Sequence, residues 1–147
     1  MPIKYPAISA IICKGDNQMT HKPVLTSKSQ TAYDRFHYAA GAMAGETLYC
    51  SGVIGTGAGG QVPEDIREEF RLAWRAAEEV LQEAGLTLGD VVEYTSYHVG
   101  LHSHMRDFMA VRDEFLREPW PAWTAIGISE LAVADAHVEI RITAVRA

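Results

Sequence analysis

A short run near the C-terminus puts four kinds of polar group on one side of a strand-like segment. Val138, Ile140, Ile142 and Ala144 alternate with His137, Glu139, Arg141 and Thr143. Alternation of this kind sends one set to a core and the other to solvent, a cavity or a partner. An imidazole, a carboxylate, a guanidinium and a hydroxyl held on rigid scaffold can grip a small polar molecule and move a proton. Glu139 reads either as a general acid/base or as a surface carboxylate paired with Arg141. His98, His102 and His104 form an H-x3-H-x-H pattern, and closely spaced imidazoles can bind zinc. Only Asp107 lies near to complete such a set, so solvent-facing loop histidines are expected and no metal site. Gly55, Gly57 and Gly60 fit G-x-G-x-x-G, but Gln61, Val62 and Pro63 separate the third glycine from the next helix. A pyrophosphate needs that helix to begin at the glycine, so a plain connection is the better reading. Cys50 has a buried-strand pattern that favours an inert thiol, and no convincing Ser-His-Asp order occurs.

The elements that position these groups follow from periodicity. Ala122, Thr124, Ile126 and Ile128 alternate with Trp123, Ala125, Gly127 and Ser129, predicting a strand before the one that carries Glu139. His37 to Met43 and Thr47 to Ile54 read as a hairpin turning at Ala44-Gly45-Glu46. In it Leu48, Cys50 and Ile54 share one face and Tyr49, Ser51 and Val53 the other, with Gly52 marking a bulge or close approach. Between Glu64 and Ala84, Ile66, Phe70, Ala73, Trp74, Ala77, Val80 and Leu81 step by threes and fours along one helical stripe. Arg67, Glu68, Arg71, Arg75, Glu78 and Glu83 make its solvated side, and Gly85 stops it. Leu88 to Val99 predicts a strand, and His104 to Leu116 a shorter helix capped by Ser103 and ended by Pro119 and Pro121. Residues 1–30 read as an irregular N-terminal extension with a short strand at Ile8 to Cys13, and residues 31–147 as one domain.

The order β-β-α-β-α-β-β implies a two-layer α+β domain, a mixed sheet with two helices on one face. Tyr49, Val53, Trp123 and Val145 would leave the other face partly apolar, and such a patch calls for a partner. A length of 147 residues suits one domain with a real core, and 48% apolar and 22% charged residues suit a globular protein. A net charge of −6 without a basic run disfavours nucleic acid. No apolar run reaches the roughly 18 residues of a membrane helix. Two distant cysteines outside any CxxC pattern suit a reducing cytoplasm.

Pro121-Ala122-Trp123, Leu131 and Val138-Glu139-Ile140 fall at the spacing of a C-terminal signature, Pro-Ala-Arg, small residues, Leu, a spacer, then aliphatic-Glu-Ile. In this the chain resembles the reactive-intermediate deaminase (RidA, or YjgF) family. Leu48-Tyr49-Cys50-Ser51-Gly52, Ala84-Gly85-Leu86 and Leu88-Gly89-Asp90-Val91-Val92 extend the resemblance, which covers about residues 30 to 147. It implies homotrimers whose sheets form a central barrel, with ligand clefts between subunits. It also implies hydrolysis of an imine or enamine to a carbonyl and ammonia, aided by the signature glutamate and a water, with no cofactor. By position it assigns the glutamate role to Glu139, and cleft roles to Ser51 and Phe36, the latter without the hydroxyl of a tyrosine. His37, near the start of the cleft strand, could line the same pocket, with a structural role as the better reading. The departure is Trp123, which stands where the family has the arginine that holds a substrate carboxylate. Indole has one donor and no charge, so it would make the cleft flat and apolar, or simply fill an interface. Arg141, and after it Arg35, are the cations that could replace the missing arginine. The expected function is therefore imine or enamine hydrolysis on a substrate other than the usual amino-acid-derived imines. The alternative is a non-catalytic member that binds a small molecule or a protein. RNA cleavage, reported for some relatives, is disfavoured by the acidic chain.

Overall fold

A computed structural model describes residues 19–147, and the strand expected at Ile8 to Cys13 lies outside them. The elements are β1 (Lys22–Val24), α1 (Gln30–Phe36), β2 (Gly41–Ala44), β3 (Thr47–Cys50), β4 (Val53–Ile54), α2 (Ile66–Glu83), β5 (Val91–Val99), α3 (Leu101–Phe115), β6 (Ala122–Ile128) and β7 (Val138–Val145), with a 3-10 turn at Leu88–Asp90 before β5. The strands join in the order β1-β2-β3-β7-β5-β6, while β4 also pairs with β7. Among the described residues only β5 and β6 run parallel, linked by α3; the other pairings are antiparallel. This is the mixed α+β sheet that the periodicity implies, with β1 and α1 added upstream of it. Lys22–Val24 pairs with β2 and joins the sheet, so residues 22–24 are not part of an irregular arm.

The helix α2 buries one stripe because its apolar residues recur at helical spacing. Phe70, Trp74 and Leu81 are fully enclosed against the sheet, each burial contributing about 1.5–3 kcal/mol. Asp65 caps it, its carboxylate accepting the Arg67 N–H at 2.9 Å. Gly85, at φ +70, ends it in the left-handed region, with the Leu86 N–H donating to the Leu81 carbonyl. Its charged side is not only solvated: Arg67 pairs with Asp107 and Arg71 with Glu114 on α3. These exposed pairs add little stability and serve chiefly to set the two helices side by side.

Two expectations of the hairpin shift. The first strand begins at Gly41, and the second breaks at Ser51-Gly52 into β3 and β4. The break changes the phase of alternation. Leu48 and Cys50 are buried before it, and after it Val53, not Ile54, is the residue that packs on the core. The helix α3 begins at Leu101, three residues earlier than expected, with Gly100 at φ +74 as its cap. Ser103 is inside the first turn and donates its hydroxyl to the Gly100 carbonyl at 2.6 Å.

The glycine run after β4 is explained by packing. A Cβ on Gly55 would lie 1.9 Å from the Glu69 carbonyl oxygen and 2.8 Å from the Ala73 nitrogen, so the chain passes directly against the α2 backbone. The Gly57 N–H then donates to the Gln61 carbonyl and the Gly60 N–H to that of Gly57, closing the loop on itself. These two glycine amides are committed internally and α2 begins only at Ile66, an arrangement unsuited to cradling phosphate.

Candidate functional site

Val138, Ile140, Ile142 and Ala144 are buried beneath the helices, so Glu139 and Arg141 leave β7 on the opposite face of the sheet. The break between β3 and β4 makes room for Glu139. Its carboxyl lies over Gly52 so closely that a Cβ there would stand 1.8 Å from Oε1 and 2.6 Å from Cδ. Glu139 is partly buried, and loss of solvent pushes its pKa above the ordinary carboxylate value. A carboxyl so placed takes up a proton more readily than an exposed glutamate, a property suited to acid/base work.

Ser51 is held at the same break. Its N–H donates to the Ala40 carbonyl and its Oγ donates to the Ala39 carbonyl at 2.7 Å, which leaves the oxygen as an acceptor. Ser51 borders a concavity of about 520 Å³ together with His37, Tyr49 and Arg141. With Gly52 it also borders a second hollow of about 300 Å³. The structure thus gathers Ser51, His37 and Arg141 on one cavity, with Glu139 seated on the glycine that follows the serine. His37, at φ 59, ends α1 in the left-handed region and starts the turn toward β2. Phe36 does not join the group: it is 70% exposed on the last turn of α1. Arg35, on that turn, is exposed and does not line the large cavity, whereas Arg141 does. Burial pushes the Cys50 thiol up to about 12, which leaves it protonated and inert.

Trp123 is on the other face. It lies opposite Tyr94 in the parallel β5–β6 ladder, and neighbours in a ladder point the same way, here toward the helices. Its ring stacks on Tyr94 at 5.7 Å, lies 5.9 Å from Phe108, and has the Arg112 guanidinium 5.1 Å above it. Its Nε1–H donates to Ser96 Oγ at 2.8 Å. The expected apolar platform beside Glu139 is therefore absent, and the indole instead closes the edge of the helix–sheet layer.

That layer contains polar residues whose placement differs from the sequence reading. His98 and His104 are not loop histidines. His98 is fully buried on β5 and His104 nearly so on α3. His98 Nε2 meets Ser96 Oγ at 2.8 Å and its Nδ1 meets His104 Nε2 at 3.1 Å. Burial lowers both pKa values, that of His98 to about 4, so both rings are neutral at physiological pH. Among the described residues no group of three or more His, Cys, Asp or Glu could hold a metal ion. His137 precedes β7 and turns from the Glu139 face to bond Glu69 at 2.8 Å. Glu69 and Ser96 went unmarked in the sequence. The signal for Glu69 was present, because it lies three residues after Ile66 and four before Ala73, on the apolar stripe.

The family model described as Endoribonuclease L-PSP matches residues 29–146. The RutC family protein YjgH of Escherichia coli (strain K12) is 30% identical over 118 residues, 80% of this chain and 90% of that protein. A 2-iminobutanoate/2-iminopropanoate deaminase of Dermatophagoides farinae is 32% identical over 108 residues, 70% of this chain and 80% of that one. The solved structure of protein YjgH superposes with a TM-score of 0.77 at 30% identity, covering 86% of this chain and 97% of that one. The structure of the YjgF gene product from E. coli gives 0.75 at 26% identity, covering 86% and 99%.

Proposed function

The chain belongs to the RidA/YjgF family, and we propose that it hydrolyses a reactive imine or enamine through Glu139 and a water. The observation that carries this reading is the partly buried Glu139 carboxyl lodged over Gly52, with its pKa raised, on the same strand face as Arg141. In the proposed step the carboxylate takes a proton as water oxygen bonds to the imine carbon. The proton passes to nitrogen, the carbon–nitrogen bond breaks, and a carbonyl compound and ammonia leave. The balance is one imine plus one water, with no cofactor or metal.

The substrate we propose is not the usual amino-acid-derived imine. Trp123 offers no charge, its N–H is spent on Ser96, and it faces away from Glu139. Any anionic group on the substrate would be met by Arg141, at a different point of the cleft. We read the active form as a cytoplasmic homotrimer, as the family resemblance implies. Exposed Tyr49, Ile126 and Val145 on the sheet's outer face are consistent with burial between copies. The acidic chain, with net charge −6, speaks against RNA as substrate.

The test follows ammonia release from freshly generated imines. We expect 2-aminoacrylate to be hydrolysed little faster than in buffer, and Glu139→Gln to abolish turnover of whichever imine is accepted. Retained turnover in that variant removes Glu139 from the reaction. Imines that raise the melting temperature but yield no ammonia would make the protein a binder.

A further inference from the structure

Away from Glu139, one titratable pair has an arrangement that the deaminase reading does not use. Glu69 has no solvent exposure. Its Oε1 accepts the backbone N–H of His137 at 2.6 Å and of Val138 at 3.2 Å, and its Oε2 meets His137 Nδ1 at 2.8 Å. A glutamate carboxylate oxygen only accepts, so toward Oε2 Nδ1 is the donating nitrogen of the ring and Nε2 keeps its lone pair. The His137 side chain is 44% exposed although its carboxylate partner is sealed. The amide bonds alone would fasten the start of β7 to α2. The bond to the ring does something more, because it fixes one tautomer of a half-exposed imidazole.

His137 borders a cavity of about 450 Å³ formed with residues 129–136 and Val99. Asp135 in that loop holds φ 64, a left-handed conformation that is uncommon for a residue other than glycine. Among the described residues the lining carries Glu130 and Asp135 and neither lysine nor arginine, and is otherwise mostly Ala, Val and Leu. Such walls repel anions and admit a neutral, partly apolar molecule. Neighbouring His104, 6.0 Å away between ring centroids, is neutral and adds no competing positive charge.

We propose that His137, positioned by Glu69, is a second reactive centre that takes a neutral acyl compound in the cavity of residues 129–137. The Nε2 lone pair attacks the carbonyl carbon, the carbon–oxygen bond to the leaving group breaks, and the alkoxide or phenoxide departs. Glu69 stabilises the acylimidazolium through its Nδ1–H. Water then bonds to the acyl carbon and the carbon–nitrogen bond breaks. The carboxylic acid leaves, one proton goes to solvent, and the imidazole is restored.

The probe is p-nitrophenyl acetate on the full chain, with acetylated residues located by mass spectrometry. We expect acetyl first at His137, and p-nitrophenol release slowed about tenfold or more in His137→Gln. Exposed His102→Gln should leave the rate unchanged, and anionic p-nitrophenyl sulfate should not react. Glu69→Gln keeps a carbonyl for the two amides but turns an N–H₂ toward Nδ1. The His137 tautomer should then invert in long-range proton–nitrogen NMR and acetylation should fall about tenfold or more. Acetyl spread evenly over exposed side chains, or a Glu69→Gln protein with inverted tautomer and undiminished acetylation, overturns the proposal. Should Glu69→Gln not fold, the wild-type spectrum decides: a His137 ring protonated on Nε2 overturns the proposal equally.

Discussion

Replacing Gly52 by alanine tests whether the geometry around Glu139 matters for its chemistry. The added Cβ would stand 1.8 Å from Glu139 Oε1, 2.6 Å from Cδ and 2.8 Å from Cγ, each far inside contact distance. All three atoms belong to a flexible side chain, so the carboxyl must leave while the backbone stays. The stability cost is that of one displaced rotamer, about 0.5–1.5 kcal/mol. The functional cost is larger, because misplacing a reacting group by about 1 Å removes on the order of a hundredfold in rate. Once displaced, the carboxyl loses the burial that raises its pKa, and its titration should move down toward the ordinary glutamate value. Carbon-detected NMR titration of Glu139 reads that shift without a known substrate, and urea unfolding reads the stability. Ammonia release gives the rate once an imine is found. A Gly52→Ala protein whose Glu139 titrates as in the wild type would refute the seating of the carboxyl on this glycine.

Three further outcomes follow from the packing. Gly55→Ala meets the α2 backbone rather than a side chain, at 1.9 Å from the Glu69 carbonyl, so it should cost about 3 kcal/mol or more in urea denaturation. Trp123→Arg should not restore a carboxylate clamp. It places a second guanidinium beside Arg112 and strips a stacked ring from Tyr94, and should lower stability on the order of 2 kcal/mol with no gain on 2-aminoacrylate. Acid should unfold the protein through its buried histidines. His98, facing Ser96 and His104, titrates near 4 when folded and 6.5 when unfolded. The unfolded chain therefore binds the extra proton first, so stability is full above about pH 6.5 and falls as pH drops toward about 4. At about 1.4 kcal/mol per pH unit, His98 alone accounts for about 3 kcal/mol. His104, near His137, Glu69 and Asp107, has its pKa lowered too and acts in the same direction. Urea midpoints across that range check this, and His98→Gln should flatten the curve.

The elements whose spacing is long and regular were legible in the sequence. The stripe of α2 and the alternation of β7 each bury the side that their periodicity marks. The family resemblance also singled out Ser51 and Glu139, and the fold lays the Glu139 carboxyl on Gly52, the residue after that serine. What alternation could not supply was the phase of a strand relative to its neighbours. Alternation along its strand placed Trp123 on the outer face, and the arginine at that place in relatives made it a cleft residue. Its actual face is set by register with Tyr94 across a parallel pair that closes only after α3 has crossed over. Val53 changed sides for a similar reason, since the break at Ser51-Gly52 shifts the period by one residue. Short elements with few apolar residues, β1 and α1, left no periodic signal, and neither does the pairing of Glu69 with His137 across 68 positions of chain.

The direction in which Trp123 points changes what its substitution for arginine means. An indole facing the cleft would compensate for the lost cation by offering a surface for rings. An indole within the helix–sheet layer, bonded to Ser96 and linked through it to His98 and His104, offers nothing to the cleft. On the Glu139 side of the sheet, Arg141 lines the cavity shared with Ser51 and His37, anchored on the same rigid strand as the carboxyl, with one residue between them. In the proposed reaction a glutamate and an arginine on one strand face would hold a short, constant distance between proton transfer and anion binding. Under the proposed reaction a substrate would have to match that distance, which would restrict the choice of imine.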